Sequence, residues 1–101
     1  MKLDIEFEWD DEKAKKNLQK HGVSFQIARR VFGDDYRIER YDEEHSHREE
    51  RFITIGSAGD ILLILCVIYT EREGIIRIIS ARKADSNERS EYYARKNNAG
   101  R

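Results

Sequence analysis

The sequence predicts an α+β domain with a small, largely antiparallel sheet, two N-terminal helices on one face and a C-terminal helix. Three observations support this fold class. One strand-like segment precedes two amphipathic segments, four strand-like segments then follow in consecutive hairpins, and a polar helix-forming segment ends the chain. A length of 101 residues suits one domain with one core, so we expect a single domain over 1–101, with 94–101 as a candidate disordered tail.

The N-terminal elements follow from alternation and capping residues. Apolar and acidic side chains alternate over 5–9, which predicts a half-buried strand whose acidic side faces water. Asp10 and Ser24 stand where helix N-caps are favoured, and Gly22 and Gly33 stand where helices commonly end. The sequence therefore predicts two short helices directly after the first strand.

The second half of the chain reads as four strands and a helix. The segment 61–70 is apolar on both alternating faces, which is typical of a central strand, and glycine-containing turns at 56–60 and 71–74 predict hairpins on either side of it. The predicted strands cover 36–41, 52–55, 61–70 and 75–83, and the final helix covers 85–98.

Composition narrows the possible functions. The net charge is −1, but residues 1–60 carry 11 basic and 15 acidic side chains whereas residues 75–101 carry 7 and 3, so the C-terminal quarter is basic. This asymmetry permits a nucleic-acid-binding face, while the near-neutral total disfavours tight nonspecific binding. The longest apolar run has nine residues, against about 20 for a membrane span, and no signal peptide is recognisable, so we expect a cytoplasmic protein. The lone Cys66 lies in that run and is predicted to be a buried hydrophobe.

Arginines interrupt the apolar strand 75–83. Arg77 lies between two isoleucines, and arginine is rarely buried without a partner, so the side chain must either pair with a carboxylate or open onto a groove that receives an anion. The guanidinium fork binds two phosphate oxygens at once, which favours a phosphate-bearing ligand. Surface ion pairs remain the alternative for the basic side chains at or near the strand ends and for the one at the start of the final helix. The former are Arg51, Arg72, Arg77 and Arg82, and the latter is Arg89.

Two further segments could carry chemistry. Residues 43–51 mix histidines, acids and bases of the kind that general acid–base catalysis uses, although a solvated charged loop has the same composition. A metal site on His45 and His47 is disfavoured because no predicted helix fixes their geometry. Glu88, Arg89 and Tyr92 fall within about one helical turn, where Tyr92 is either a catalytic phenol or a packing anchor.

A family resemblance connects these segments. The matching positions are Trp9-Asp10, Lys13, Asn17, 20–25, Asp42, His45-Ser46, Glu50-Arg51, Ile55-Gly56, Tyr69, Arg72, 77–82, Glu88-Arg89 and Tyr92. They run in order from about Phe7 to Tyr92, nearly the whole chain, and together they resemble the BrnT toxins. The resemblance implies a RelE-type ribonuclease toxin fold and inhibition by a cognate antitoxin, BrnA, with which a hetero-oligomer is expected.

The resemblance also implies RNA cleavage without a metal or cofactor, in which the substrate 2′-hydroxyl attacks the adjacent phosphate. Such a reaction needs a base, a proton donor and cations for the phosphate. The candidate base is Glu50 or His45, and the candidate proton donor is Tyr92 or His45, with Glu88 and Arg89 orienting. The expected catalytic residues are His45, Glu50, Arg51, Arg72, Arg77, Arg82, Glu88 and Tyr92, and the expected RNA-binding residues are Arg77, Arg82, Lys83 and Arg89.

Two alternatives to a metal-free ribonuclease stay open. One is a noncatalytic module of the same fold that docks an acidic protein or a nucleic acid through its arginines. The other, ranked last, is a metal-dependent hydrolase built on His45 and His47, which a chelator would inactivate. The mild acidity of the chain also leaves the ribosome as a possible route to RNA.

Overall fold

A computed structural model describes residues 5–59 and 63–99. The elements are β1 (Glu6–Glu8), α1 (Asp11–His21), α2 (Phe25–Ala28), β2 (Ile38–Tyr41), β3 (Phe52–Ser57), β4 (Ile64–Arg72), β5 (Ile75–Lys83) and α3 (Ser86–Ala99), with 3-10 turns at Arg29–Gly33 and Glu43–His45. The strands form one five-stranded sheet in the order β1-β5-β4-β3-β2, in which β1 runs parallel to β5 and all other neighbours are antiparallel. The predicted α+β class with a largely antiparallel sheet is thus confirmed.

The predicted caps bound the first two helices. The Asp10 carboxylate accepts a hydrogen bond from the Lys13 N–H at 3.1 Å, and the Ser24 hydroxyl accepts one from the Ile27 N–H at 3.2 Å. Gly22 ends α1 in the left-handed conformation, at φ 71°. The second predicted helix is only partly matched, because α2 has four residues and the chain then tightens into a 3-10 turn.

Two apolar layers cover the two sides of the sheet. The larger core lies between the sheet and α1, α2 and the first 3-10 turn; its members include Phe25, Val31, Phe32, Leu65, Val67 and Ile78. A smaller cluster lies under α3 and consists of Ile55, Ile64, Cys66, Ala84 and Tyr92. The predicted burial of Cys66 is confirmed, and desolvation raises the pKa of its thiol to about 12.

An amide side chain joins α1 to the sheet. Asn17 is buried and donates to the Val23 and Ala81 carbonyls at 2.9 and 2.8 Å, while its oxygen accepts from the Ala81 N–H at 3.1 Å. Leu18, the next residue of α1, is 50% exposed. The hydrogen bonds of Asn17 to the Ala81 backbone therefore help to hold α1 against β5, in addition to the apolar packing of the helix.

A bulge in β5 decides which arginines share a face. Ile68 pairs with Ser80 and Tyr69 pairs with Ile78, so Ile79 has no partner across the ladder. Ile78 and Ala81 are three residues apart, so a regular strand would turn them to opposite faces, yet both pack in the larger core. Arg77 and Arg82, five residues apart, consequently lie on the same face, whereas a regular strand would place them on opposite faces.

The ends of several elements differ from prediction. The hairpin predicted at 71–74 turns at Glu73 and Gly74, whose φ angles of 51° and 81° are both positive, as in a type I′ turn. The β2 strand begins at Ile38 because the Asp34 carboxylate accepts from the Tyr36 N–H at 2.9 Å and forms a local turn. The start of the predicted strand 61–70 lies outside the described residues, and α3 runs on through 94–99 of the candidate tail.

None of the helices in the described residues has the length and apolar character that crossing a membrane requires.

Candidate functional site

The sheet face opposite α1, which we name the open face, carries charged groups at two places. We name them by position. The hairpin end lies near the β4–β5 turn and comprises Glu8, Thr70, Arg72, Arg77 and the loop 42–51. The helix end lies at the start of α3 and comprises Arg82, Glu88, Arg89 and Tyr92. Lys83, next to Arg82, pairs with the core residue Leu65 and therefore lies on the α1 side of the sheet.

At the hairpin end, Arg77 pairs with a carboxylate from the neighbouring strand. The parallel register of β1 and β5 places Glu8 beside Arg77, whose Nη1 donates to the Glu8 Oε2 at 2.7 Å. The two side chains remain 30% and 40% exposed. The sequence left two alternatives for Arg77, pairing with a carboxylate or opening onto a groove. In the structure, Arg77 pairs with Glu8 and is also partly open to solvent.

A second pair fixes the loop 42–51 beside β4. The Arg72 Nε donates to the Glu49 Oε2 at 2.6 Å, and the Thr70 hydroxyl donates to the Glu50 carbonyl at 2.8 Å. The hydrogen bond from Arg72, together with the charges of Arg72, Arg51 and Arg77, holds the pKa of Glu49 below its usual value. Three arginines from the loop, β4 and β5 thus act on one carboxylate.

His45 is held by a buried aspartate. Its Nδ1 lies 3.1 and 3.2 Å from the two carboxylate oxygens of Asp42, which is 6% exposed, while the imidazole itself is 55% exposed. Asp42 is fixed in turn by its N–H, which donates to the Arg51 carbonyl at 2.8 Å. Ser46 closes the loop by donating its hydroxyl to the Asp42 carbonyl and accepting from the Arg51 N–H.

Four of these residues line one cleft, together with His47 and Arg48. Its volume is about 570 Å³, and its lining consists of three arginines, two histidines and one carboxylate: His45, His47, Arg48, Glu49, Arg51 and Arg72. Such a lining suits an anionic ligand, because arginines bind phosphate oxygens and imidazoles exchange protons. Within 5–59 and 63–99, no three histidine, cysteine or acidic side chains come together as metal ligands.

The helix end is built differently. Arg82 donates to both oxygens of Glu88, at 2.8 and 3.0 Å. Glu88 also accepts from the Asp85 N–H, and Asp85 accepts from the Glu88 N–H, both at 2.8 Å, so the two form a capping box at the start of α3. The Arg82 hydrogen bonds lower the pKa of Glu88. Lys83 is exposed, and Arg89 donates to the Ala84 carbonyl at 2.7 Å.

Tyr92 lies inside the smaller core. It is 1% exposed, its hydroxyl donates to the Asp34 Oδ2 at 2.5 Å, and burial raises the pKa of the phenol. Tyr93, its neighbour in sequence, is 43% exposed. This geometry favours the packing role that the sequence left open for Tyr92.

The residues expected to act together are therefore divided between the two ends. His45, Arg51 and Arg72 line the cleft, with Arg77 beside it, and Glu50 is exposed and does not line it. Arg77 and Arg82 are five positions apart on β5, which corresponds to about 16 Å along a regular strand. The helix end holds Arg82, Glu88, Arg89 and Tyr92, and Lys83 lies beside it on the α1 side of the sheet.

Sequence reasoning assigned no role to several groups of the hairpin end. Asp42 entered only as a position of the family resemblance, although its spacing of three residues from His45 is a usable signal for a local contact. Glu8 was expected only to face water. Glu49 and Arg48 stand in a charged run in which nothing distinguishes them from their neighbours.

The fold and the cleft define a small α+β protein suited to a phosphate-bearing ligand. A sequence model of the ribonuclease toxin BrnT of type II toxin–antitoxin systems matches residues 9–88 of the chain. The chain belongs to this family, which confirms the resemblance found in its sequence. Membership implies ribonuclease activity, an RNA target and a cognate antitoxin. No curated protein sequence matches the chain at a significant level.

Proposed function

We propose that this chain is an endoribonuclease toxin that cleaves RNA without a metal ion, through attack of the substrate 2′-hydroxyl on the adjacent phosphate. The observation that carries this proposal is the Asp42–His45 pair beside the arginines of the cleft. A carboxylate at Nδ1 fixes the proton there and directs Nε2 outward as the nitrogen that exchanges protons.

The reaction needs charge stabilisation and two proton transfers. A base removes the 2′-hydroxyl proton, the 2′-oxygen attacks phosphorus, and the 5′-oxygen leaves with a proton from an acid, which yields a 2′,3′-cyclic phosphate and a 5′-hydroxyl. Arg51, Arg72 and Arg77 supply the positive charge for the phosphate, and His45 supplies one of the proton transfers. Preorganised donors of this kind contribute about 3–4 kcal/mol each to transition-state stabilisation.

Regulation follows from the exposure of the same arginines. Arg72 is 58% exposed, so an acidic segment of an antitoxin could pair with it and block access of RNA to the cleft. We propose a BrnA-like antitoxin as this partner and the cytoplasm as the place of action. Ribosome-bound messenger RNA would present the same phosphate chemistry as free RNA.

The test is cleavage of a defined single-stranded RNA by the purified protein in the presence of EDTA. We expect cyclic-phosphate ends, no cleavage of a strand with 2′-deoxyribose at the cleaved position, and a loss of about 10²–10⁴-fold in rate for His45→Ala. His21→Ala, at the end of α1, is the matched control and should keep the wild-type rate.

Three results would contradict the proposal. Loss of activity with EDTA would favour the metal-dependent alternative, and cleavage of the deoxy-substituted strand would exclude 2′-hydroxyl attack. An inactive wild type that still binds RNA or an acidic protein would favour the noncatalytic module.

A further inference from the structure

We propose that Glu49, and not its neighbour Glu50, is the base that removes the 2′-hydroxyl proton. This inference rests on the proposed ribonuclease function. His45 accounts for one of the two proton transfers, and Glu49 would supply the acceptor for the other. It concerns a side chain to which neither the sequence nor the family match gives a role.

The position of Glu49 among the cations is the first argument. Arg72 contacts this carboxylate directly, and Arg51 lines the same cleft. The positive charge of Arg77, on the neighbouring strand, also helps to lower the pKa of Glu49. A scissile phosphate held by the same arginines would lie directly beside Glu49. Because the attacking 2′-oxygen is on the ribose carbon next to the one that bears the phosphate, a carboxylate at this position is within reach of its proton.

The second argument is that the Arg72–Glu49 pair leaves some of its polar atoms available for substrate. Arg72 binds Glu49 through Nε alone, and 31% of the Glu49 side chain is exposed in the cleft. Among the hydrogen bonds of the described residues, Glu49 Oε1 has none, so one oxygen can accept a proton while the other stays on Arg72. The terminal nitrogens of Arg72 remain for the phosphate.

The other carboxylates nearby are less suitably placed. Glu50 is exposed and lies outside the cleft lining, and its carbonyl is held inward by the Thr70 hydroxyl. Glu8 is on β1 against Arg77 and does not line the cleft either. Asp42 is buried behind His45.

The two proton transfers then divide between Glu49 and His45. The Glu49 carboxylate takes the 2′-hydroxyl proton as the bond from the 2′-oxygen to phosphorus forms. The bond from phosphorus to the 5′-oxygen breaks, and the leaving oxygen takes a proton from the His45 imidazolium. Proton exchange with water restores both groups, so no oxidant, reductant or metal is required.

The experiment separates binding from cleavage. Single-turnover cleavage is measured on the RNA substrate, and affinity is measured with the same strand carrying 2′-deoxyribose at the cleaved position. For Glu49→Gln we expect cleavage to fall by about 100-fold or more, with equal or tighter binding, because the amide cannot accept the proton and a negative charge is removed. Glu49→Asp keeps the carboxylate and should recover part of the rate, and Glu44→Gln, an exposed neutralisation in the same loop, is the control for charge.

Several outcomes overturn the inference. Wild-type cleavage by Glu49→Gln in an active preparation would exclude the base role and leave the ribonuclease function standing. Faster cleavage with tighter binding would make Glu49 only a counter-ion that RNA displaces. Loss of cleavage in Glu50→Gln with full activity in Glu49→Gln would return the role to Glu50. An inactive wild type would contradict the proposed function itself, and this inference with it.

Discussion

The two ends of the open face contain the same kind of pair, an arginine of a strand with a glutamate, in two different settings. At the helix end, Glu88 is 15% exposed, accepts two bonds from Arg82 and also caps α3. At the hairpin end, Glu8 and Glu49 each accept a single bond from an arginine, and their side chains stay 40% and 31% exposed. A pair that belongs to a helix cap supports the fold, whereas a singly bonded, exposed pair can exchange its partner for a phosphate.

The largest expected effect concerns Tyr92 at the helix end. Tyr92→Ala should lower the free energy of unfolding by about 3–5 kcal/mol, because it removes a fully buried aromatic ring and leaves a cavity. Tyr92→Phe should cost only about 1–2 kcal/mol, since Asp34 keeps its bonds from the Ser57 and Tyr36 N–H groups. Urea unfolding of the variants measures both values.

The same Tyr92→Phe variant sharpens the division between the two ends. If Tyr92 only packs, the folded variant should cleave RNA at close to the wild-type rate. A loss of about 100-fold with intact folding would instead restore the phenol as a proton donor and join the helix end to the active site.

The next effect contrasts the arginines of the two ends. Arg77→Ala should lower the rate of RNA cleavage by about 10²–10³-fold, while the free energy of unfolding changes by less than about 1 kcal/mol because the Glu8 pair is exposed. Arg82→Ala should show the reverse, with about 1–2 kcal/mol lost in unfolding as Glu88 loses its partner. Denaturation and cleavage assays on both variants measure these two effects. If Arg77→Ala and Arg82→Ala both fold and lose cleavage equally, the two ends form one site.

The smallest effect is the pH dependence of the Glu88 pair. Arg82 lowers the pKa of Glu88 below its usual value of 4.5. The ion pair therefore stabilises the fold fully above that pH, and this contribution is lost as the pH falls through the folded-state pKa. Glu88→Gln, which can still cap α3, should cost less than about 1 kcal/mol near neutral pH. The difference from the wild type should shrink as the pH is lowered from neutral to well below 4.5, which urea unfolding at the two pH values would show. A difference that stays constant between them would mean that the charge of Glu88 does not contribute.

Local signals predicted most of the fold. Caps such as Asp10 and Ser24, the glycine that ends α1, and the alternation in the strands depend on neighbours in sequence, so they can be found without tertiary information. The candidate site was predicted only in part. The sequence placed His45, Arg51 and Arg72 among the candidate catalytic residues, and the structure brings these three to one cleft. The sequence could not separate them from the candidates around α3.

By itself, the sequence determined the fold class, the burial of Cys66, the presence of arginines on an apolar strand and membership of the toxin family. Only the tertiary structure decided which charges meet. The bulge at Ile79 sets the face of Arg82, the parallel register sets the contact of Glu8 with Arg77, and the fold of the loop brings Glu49 rather than Glu50 to Arg72. Such contacts join residues 23–69 positions apart, and no local pattern records them, because their geometry depends on how separate elements pack.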